Sequence, residues 1–254
     1  MAIAGSPARV GNAFQKYWLE RIIDAMIAKR DSWAMFNRIA NTYDVTNRIV
    51  SLGIDQRWRR QLVGTVATHQ PLALLDLGTG TGDVARLLAD RFPDATIYAI
   101  DPAAAMLAIG QEKSGDDSKI IWTLGAGEHI PLPDGSIHHV TMSFSLRNVP
   151  DLDQTLGEIY RVLAPNGRFS ILEFGLPSFL PIRWVYLAYF RYLLPFIGGI
   201  VSGDRPAYRY LNTSVEAFPY GDALCQRFTA TGFLNARCRS LTFGVAMIYE
   251  GEKG

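Results

Sequence analysis

Cysteine is scarce in this chain, and the little there is builds no metal site. The 254 residues hold two cysteines, Cys225 and Cys238, without zinc-ligand spacing. A disulfide scaffold is thereby excluded, and the expectation is two buried thiols in a reducing cytoplasm. Surplus charge is missing too. Lys and Arg number 25 against 24 Asp and Glu, a formal net charge of +1. Nothing in that balance suits a polyanion, so nucleic acid is not an expected partner. Long apolar runs are also absent. Residues 1–9 carry no continuous apolar core of signal-peptide length. The most apolar stretch, 179–201, is interrupted by Pro181, Arg183, Arg191 and Pro195. A spanning helix needs roughly 20 predominantly apolar residues with few charges, so this stretch is left with surface association at most. No internal repeat or low-complexity segment is present. The expected location is cytoplasmic, with peripheral contact at the inner face of a membrane left open.

What is present centres on Leu74-Leu75-Asp76-Leu77-Gly78-Thr79-Gly80-Thr81-Gly82-Asp83. Apolar residues around Asp76 read as a buried strand, the glycines as a tight turn, and residues 83–91 as a helix. Such a loop brings backbone N–H groups and a helix start close to a ligand. The glycines fall at 78, 80 and 82, whereas a dinucleotide fingerprint wants its third at 83, where Asp83 stands. The next apolar run, 96–100, ends in Asp101, about 20 residues on, where an acidic residue accepts hydrogen bonds from ribose hydroxyls. Pro102 follows at a first-turn position, so a helix cap is the alternative role for Asp101. The combination resembles the S-adenosylmethionine loop of class I methyltransferases more than a nicotinamide site.

The rest of the pattern sets the fold class. Apolar spacing predicts an amphipathic helix over 14–29 and helical character from Trp33 to Ala40. Asn41-Thr42-Tyr43-Asp44 carries turn and cap chemistry, and two short helices follow near 47–54 and 58–63. Strands are expected at 73–77, 96–100, 119–124, 137–143 and 167–174, with helices at 83–91, 103–113 and 152–163 between them. That alternation argues for a parallel sheet with helices on both faces. Gly167 is the expected left-handed residue after the third of these helices. An aromatic insertion at 176–218 interrupts the pattern, a helix returns at 220–231, and strands at 233–240 and 243–250 close the chain. Their very short connection makes them antiparallel. The expected division is a helical lid over 1–70 and one α/β domain over 71–254.

Several motifs together resemble the ubiquinone/menaquinone biosynthesis C-methyltransferases. They are Tyr43-Asp44-Val45-Thr46-Asn47-Arg48 running on to Trp58, the Gly78–Asp83 loop, and Ser143-Phe144-Ser145-Leu146-Arg147-Asn148-Val149. Tyr160-Arg161-Val162-Leu163-Ala164-Pro165-Asn166-Gly167 leading to Leu172-Glu173-Phe174, and Tyr208-Arg209-Tyr210-Leu211, complete the set. The resemblance implies a doubly wound, mostly parallel, seven-stranded class I methyltransferase sheet with N-terminal helices and a helical cap. It implies S-adenosyl-L-methionine as cofactor and methyl transfer to a ring carbon of a prenylated quinol, demethylmenaquinol first among them. Another lipidic aromatic substrate, or a cofactor-binding protein without activity, is the alternative.

Roles follow residue by residue. The resemblance implies Tyr43, Asp83, Arg147 and Asn148 as the catalytic group, with no metal. Arginine is almost never deprotonated, so water relayed to Asp83 or Tyr43 is the expected base, and an Arg147–Asp83 ion pair is an alternative role for both. The cofactor set is Asp76, Gly78, Thr79, Gly80, Ala85, Asp101, Pro102, Met106, Ala126, Gly127 and Ser143. Asp76 either anchors loop amides or reaches the methionine part of the cofactor through water. Met106 packs near the adenine or simply in the core. Ala85 and Ala126 stand where relatives often carry polar side chains. His129 belongs on the adenine rim. Asp55 replaces a histidine usual in relatives and is expected as a solvent-facing cap. The aromatics of 179–210 fit a polyprenyl wall or a membrane contact, and a homodimer is a further expected assembly.

Overall fold

Five apolar runs that alternate with helical periodicity demand a sheet buried on both faces. The computed structural model describes residues 32–66, 73–115, 119–194, 196 and 204–254. The helix expected over 14–29 lies outside the described residues.

The elements, in chain order, are α1 (Ser32–Ser51), α2 (Ile54–Gly64), β1 (Ala73–Leu77), α3 (Asp83–Arg91), β2 (Thr96–Asp101), α4 (Ala104–Ser114), β3 (Ile120–Leu124) and β4 (Ile137–Ser143). A short 3-10 turn (Leu146–Asn148) then leads to α5 (Leu152–Val162) and β5 (Leu163–Phe174). The insertion holds α6 (Leu180–Ala188), which runs into a π-helical turn (Tyr189–Leu193), and α7 (Arg205–Ala217). The chain closes with α8 (Asp222–Thr231), β6 (Leu234–Leu241) and β7 (Ala246–Glu252). The sheet has seven strands in the order β3-β2-β1-β4-β5-β7-β6. The first five strands pair in parallel, and β7 lies antiparallel to both β5 and β6. The class I methyltransferase topology expected from the sequence is the one observed.

Each face of the sheet has its own core. On one side Leu156, Ile159 and Val162 of α5 and Leu224 and Phe228 of α8 pack against Val140, Phe169 and Tyr249. On the other, Trp58, Leu62 and Val63 of α2 and Val84, Ala85 and Leu88 of α3 cover Leu74, Ile97 and Leu172. Burying each large apolar side chain contributes about 1.5–3 kcal/mol, so α2 is bonded into the main core. A third cluster joins Ile39 and Ala40 of α1 to Met106 of α4 and to Tyr186, Phe190 and Leu194 of the insertion. This cluster roofs the ends of the strands.

Four local expectations are corrected. Residues 41–44 do not break the helix; α1 runs through them. Two polar side chains there are drawn into other bonds: Thr42 donates to the Ile39 carbonyl, and Asp44 accepts from Thr81 and pairs with Lys113. Asp55 is not a solvent-facing cap but is buried, accepting from Ser51 and pairing with Arg48 and Arg59. The left-handed residue after α5 is Asn166, at φ 60°, and not Gly167; β5 starts directly at Leu163. Cys225 and Cys238 are free and half-buried rather than fully buried.

Candidate active site

The C-terminal ends of the parallel strands all open toward the third cluster, the usual ligand edge of an open α/β sheet. After β1 the chain turns through the glycine loop. Gly80 has φ 57°, and a Cβ there would meet no protein atom, because the backbone edges open space. Its N–H donates to the Asp101 carboxylate at 2.8 Å, and the other Asp101 oxygen accepts from the Ala103 N–H at 2.8 Å. Asp101 thus ties β1 to β2 and caps the next turn while still lining the cleft. Gly82 has a different duty. A Cβ there would lie 2.2 Å from the Trp122 ring, so this glycine admits the indole beneath the start of α3.

Asp76 is buried in β1 and accepts from the Thr79 hydroxyl at 2.6 Å and the Thr141 hydroxyl at 3.0 Å. It binds side-chain hydroxyls, not loop amides, which corrects the anchoring role expected for it. Burial pushes its carboxyl up to about 7, against the pull of Thr79 and Thr141. Burial likewise raises Asp101 to about 6, although its two backbone donors act the other way. Two buried carboxylates beside one cleft are an unfavourable pair until a cation arrives.

Two cavities lie side by side above this edge. The first spans about 790 Å³, open solvent included, and is lined by the glycine loop, Asp101, Pro102, Met106, Ala126, Gly127 and Ser143. The second spans about 900 Å³ on the same measure and is walled by Trp58, Phe174, Phe190 and Leu194, with Arg147 among them. Phe36, Tyr43 and Phe144 line both, and so form the partition. Ala85 lines neither; it is fully buried against the sheet, which corrects its place in the cofactor set. Thr79 and Asp76 reach a smaller polar recess beside the loop, shared with Tyr43 and Asp83.

Phe144 is the hinge of the partition. Its φ of 58° is left-handed, a conformation that costs a non-glycine residue on the order of 1–3 kcal/mol. The twist turns its carbonyl to accept from Arg147 Nη1 at 2.6 Å and Asn148 Nδ2 at 3.3 Å. Its ring stacks on Phe174 with centroids 4.4 Å apart.

The four residues of the expected catalytic group divide between the spaces. Tyr43 stands where all three meet, Arg147 faces the apolar cavity, Asn148 the first cavity, and Asp83 the polar recess. Arg147 and Asp83 are not an ion pair, which corrects that expectation. Arg147 Nη1 bonds Glu173 at 2.7 Å, while Asp83 bonds Arg48 at 2.7 Å and Arg86 at 2.8 Å, with Arg59 at 3.8 Å. Burial would raise the Asp83 carboxyl, but those three guanidinium groups hold it below its ordinary value. From the sequence, Glu173 has no individual role and Tyr210 only a place among the aromatics of 179–210. Glu173 accepts from the Arg147 and Phe174 amides, and the Tyr210 phenol donates to Asn148 Oδ1 at 3.1 Å. The signal for Glu173 was there: an acid inside the apolar run Ile171-Leu172-Glu173-Phe174 needs a buried partner.

Comparison with known proteins bears on the family and the fold. A demethylmenaquinone methyltransferase of Thermus thermophilus is 46% identical over 220 residues, covering 86% of this chain and all of that protein. A ubiquinone/menaquinone biosynthesis C-methyltransferase of Geotalea daltonii is 41% identical over 223 residues, 86% of this chain and 94% of that protein. Among solved structures, a SAM-dependent methyltransferase of Thermotoga maritima superposes with a TM-score of 0.65 at 19% identity, covering 87% of this chain and 99% of its own. That likeness bears on the fold alone. The sequence pattern of one family extends over residues 26–253, through the glycine loop and every strand end that walls the two cavities, and the chain belongs to that family, the ubiE/COQ5 methyltransferases.

Proposed function

We propose that this methyltransferase transfers a methyl group from S-adenosylmethionine to a ring carbon of a prenylated quinol, demethylmenaquinol being the foremost acceptor. The observation that carries the reading is the pair of cavities with one shared wall. A cleft lined by Asp101, with Asp76 in the polar recess beside it, suits a cationic, ribose-bearing donor, and the second, more apolar cavity suits a ring with a hydrocarbon tail. The printed names of the Thermus thermophilus and Deinococcus radiodurans relatives, both demethylmenaquinone methyltransferases, support the choice of ring.

The residues present fit the donor. Gly80 leaves room for close approach, Asp101 has lone pairs for ribose hydroxyls, and Ser143 Oγ is buried without a partner at the cleft wall. S-adenosylmethionine, when bound, supplies a methyl group on a sulfonium sulfur that leaves with the C–S electron pair as a neutral thioether. The chain's task is to make the acceptor carbon electron-rich and hold it in line. As a ring hydroxyl loses its proton, the Arg147 guanidinium stabilises the oxyanion across the low-dielectric pocket. Arg147 cannot itself take the proton; water held at Tyr43 takes it for release to solvent, and once the methyl is in place the ring-carbon proton passes through water to the ring oxygen, which restores both aromaticity and the hydroxyl. Asn148 and Tyr210 hold the loop that carries Arg147.

The insertion also suggests how such an acceptor is reached. No helix among the described residues is long and apolar enough to cross a membrane. Leu180, Trp184, Val185 and Tyr192 are nevertheless exposed on the outer face of α6 and its π turn, a composition suited to peripheral contact with a lipid surface. Co-sedimentation with anionic vesicles tests this, and Trp184→Glu is expected to abolish it.

The decisive experiment is incubation with cofactor labelled on the methyl group and a panel of demethylated quinols differing in ring and tail. Transfer to demethylmenaquinol is expected, and Arg147→Ala is expected to cut turnover by about 10²-fold with cofactor affinity unchanged. Transfer to no quinol removes the substrate assignment; transfer to another aromatic lipid redirects it.

A further inference from the structure

Most polar groups inside this protein are paired, so the exceptions are informative. One is the phenol of Tyr186, on the inward face of α6. The residue is 9% exposed, its ring lines the apolar cavity, and its hydroxyl is buried without a hydrogen-bond partner. The neighbouring phenols of the insertion are engaged: Tyr189 donates to the Val50 carbonyl and Tyr210 to Asn148. A second orphan faces the same cavity. Arg147 spends Nη1 on Glu173 and Phe144, while its Nε–H is buried and unpaired.

Packing alone does not explain a tyrosine here. Its ring sits tilted on Phe190 with centroids 5.0 Å apart, a contact that phenylalanine would make equally well. The hydroxyl only adds a desolvation cost of about 1–3 kcal/mol while it stays unpaired. Burial raises this phenol well above its ordinary range, so it stays protonated and acts as a donor. The Arg147 N–H is likewise a donor only. Among the described residues lining this cavity, the two buried unpaired polar side-chain atoms are both donors, and they call for a ligand oxygen with lone pairs, most strongly for one gaining negative charge.

We propose that Tyr186 is a substrate-contacting residue, donating from Oη to the same ring oxygen that Arg147 faces, so that the insertion supplies a polar group to the reaction as well as a wall for the tail. The inference rests on the quinol reading above. Its chemical consequence is selectivity: a ring with an oxygen at this position satisfies both donors, whereas an amino group there leaves both opposed.

Tyr186→Phe tests it, with two readouts besides turnover. The ligand-free variant is expected to melt at the wild-type temperature or above, because an unpaired buried hydroxyl has gone. Its affinity for a short-chain prenylated naphthoquinone, read by tryptophan quenching from Trp58 in the cavity wall, is expected to fall about tenfold, as is kcat/KM for the demethylated quinol. Cofactor affinity is expected to stay unchanged. Combined with Arg147→Ala, the loss is expected to be smaller than the product of the two single losses, since both donors serve one oxygen. A lower melting temperature, or wild-type quenching and turnover, overturns the assignment. If the wild type binds the naphthoquinone but methylates no quinol, the quinol-methylation reading fails and the quenching ratio still decides Tyr186. If it does neither, both fall.

Discussion

Arg147 and Glu173 meet at 2.7 Å inside the protein, their side chains 6% and 1% exposed. The carboxylate also accepts from the Arg147 and Phe174 amides, and the guanidinium lies over the Phe174 ring, 5.1 Å from its centroid. Backbone, charge and ring therefore fix one orientation, with Nη1 turned inward. The pair joins β5 to the loop after β4, so the orientation of the guanidinium in the wall of the apolar cavity is set by the sheet itself.

Glu173 thereby becomes a positioning residue. Glu173→Ala leaves a buried guanidinium without its counter-charge, a loss of about 3–5 kcal/mol, measurable by urea unfolding. Glu173→Gln keeps the shape and one acceptor oxygen, so the fold is expected to survive while kcat falls at least tenfold with KM for the cofactor unchanged. A wild-type kcat in the Gln variant would mean that the carboxylate serves stability alone.

The carboxyls of Asp76 and Asp101 make a pH dependence with a definite sign. Their folded values, about 7 and about 6, lie above the ordinary 3.8. Between about pH 4 and 7 the folded state therefore binds more protons than the unfolded one, and stability of the ligand-free protein falls as pH rises through that window. Below it both states are protonated and the contribution is fully present. A cationic donor reverses the trend, since it favours the ionised carboxylates. The thermal shift produced by S-adenosylmethionine is expected to grow from pH 5.5 to pH 7.5, and Asp76→Asn to flatten that growth. A pH-independent shift would remove the electrostatic role of both carboxylates.

The fold was legible because its signals are local. Strands 73–77 and 137–143 are read from short apolar runs, and the antiparallel closure from a connection too short for a crossover. The site was legible in outline and not in its pairings. Asp55 looks like a first-turn acid; Arg59 pairs with it one turn on in the same helix, and only tertiary structure brings Arg48 onto it and lets Asp83 share both guanidinium groups. Spacing gave a partial hint, since Ser51, Asp55 and Arg59 recur at four-residue intervals and all three meet. Tyr43 failed in the opposite sense. The cap-like Asp44 beside it is taken up by Thr81 and Lys113, distant in sequence, and Thr42 bonds back to the Ile39 carbonyl, so the helix had no reason to stop. Tyr186 was one aromatic among many, and nothing in the sequence marks whose hydroxyl is left unpaired.

The glycine loop separates folding from binding within three residues. At Gly82 an added methyl meets the Trp122 ring at 2.2 Å and sits at φ 78°. Gly82→Ala must therefore displace a half-buried indole and accept a left-handed alanine, strain of about 1–2 kcal/mol before repacking. The expected result is a lower melting temperature, with cofactor affinity reduced only in proportion to the folded fraction. At Gly80, φ 57°, an added methyl meets no protein atom and points into open space beside the Asp101 carboxylate. Gly80→Ala carries the backbone strain alone, so most of its stability is expected to remain, but the methyl occupies volume the donor needs. Calorimetric titration with S-adenosylmethionine is expected to show at least a tenfold weaker affinity for the Gly80 variant. Equal affinities in the two variants would mean that Gly80, like Gly82, is there for the turn and not for the ligand.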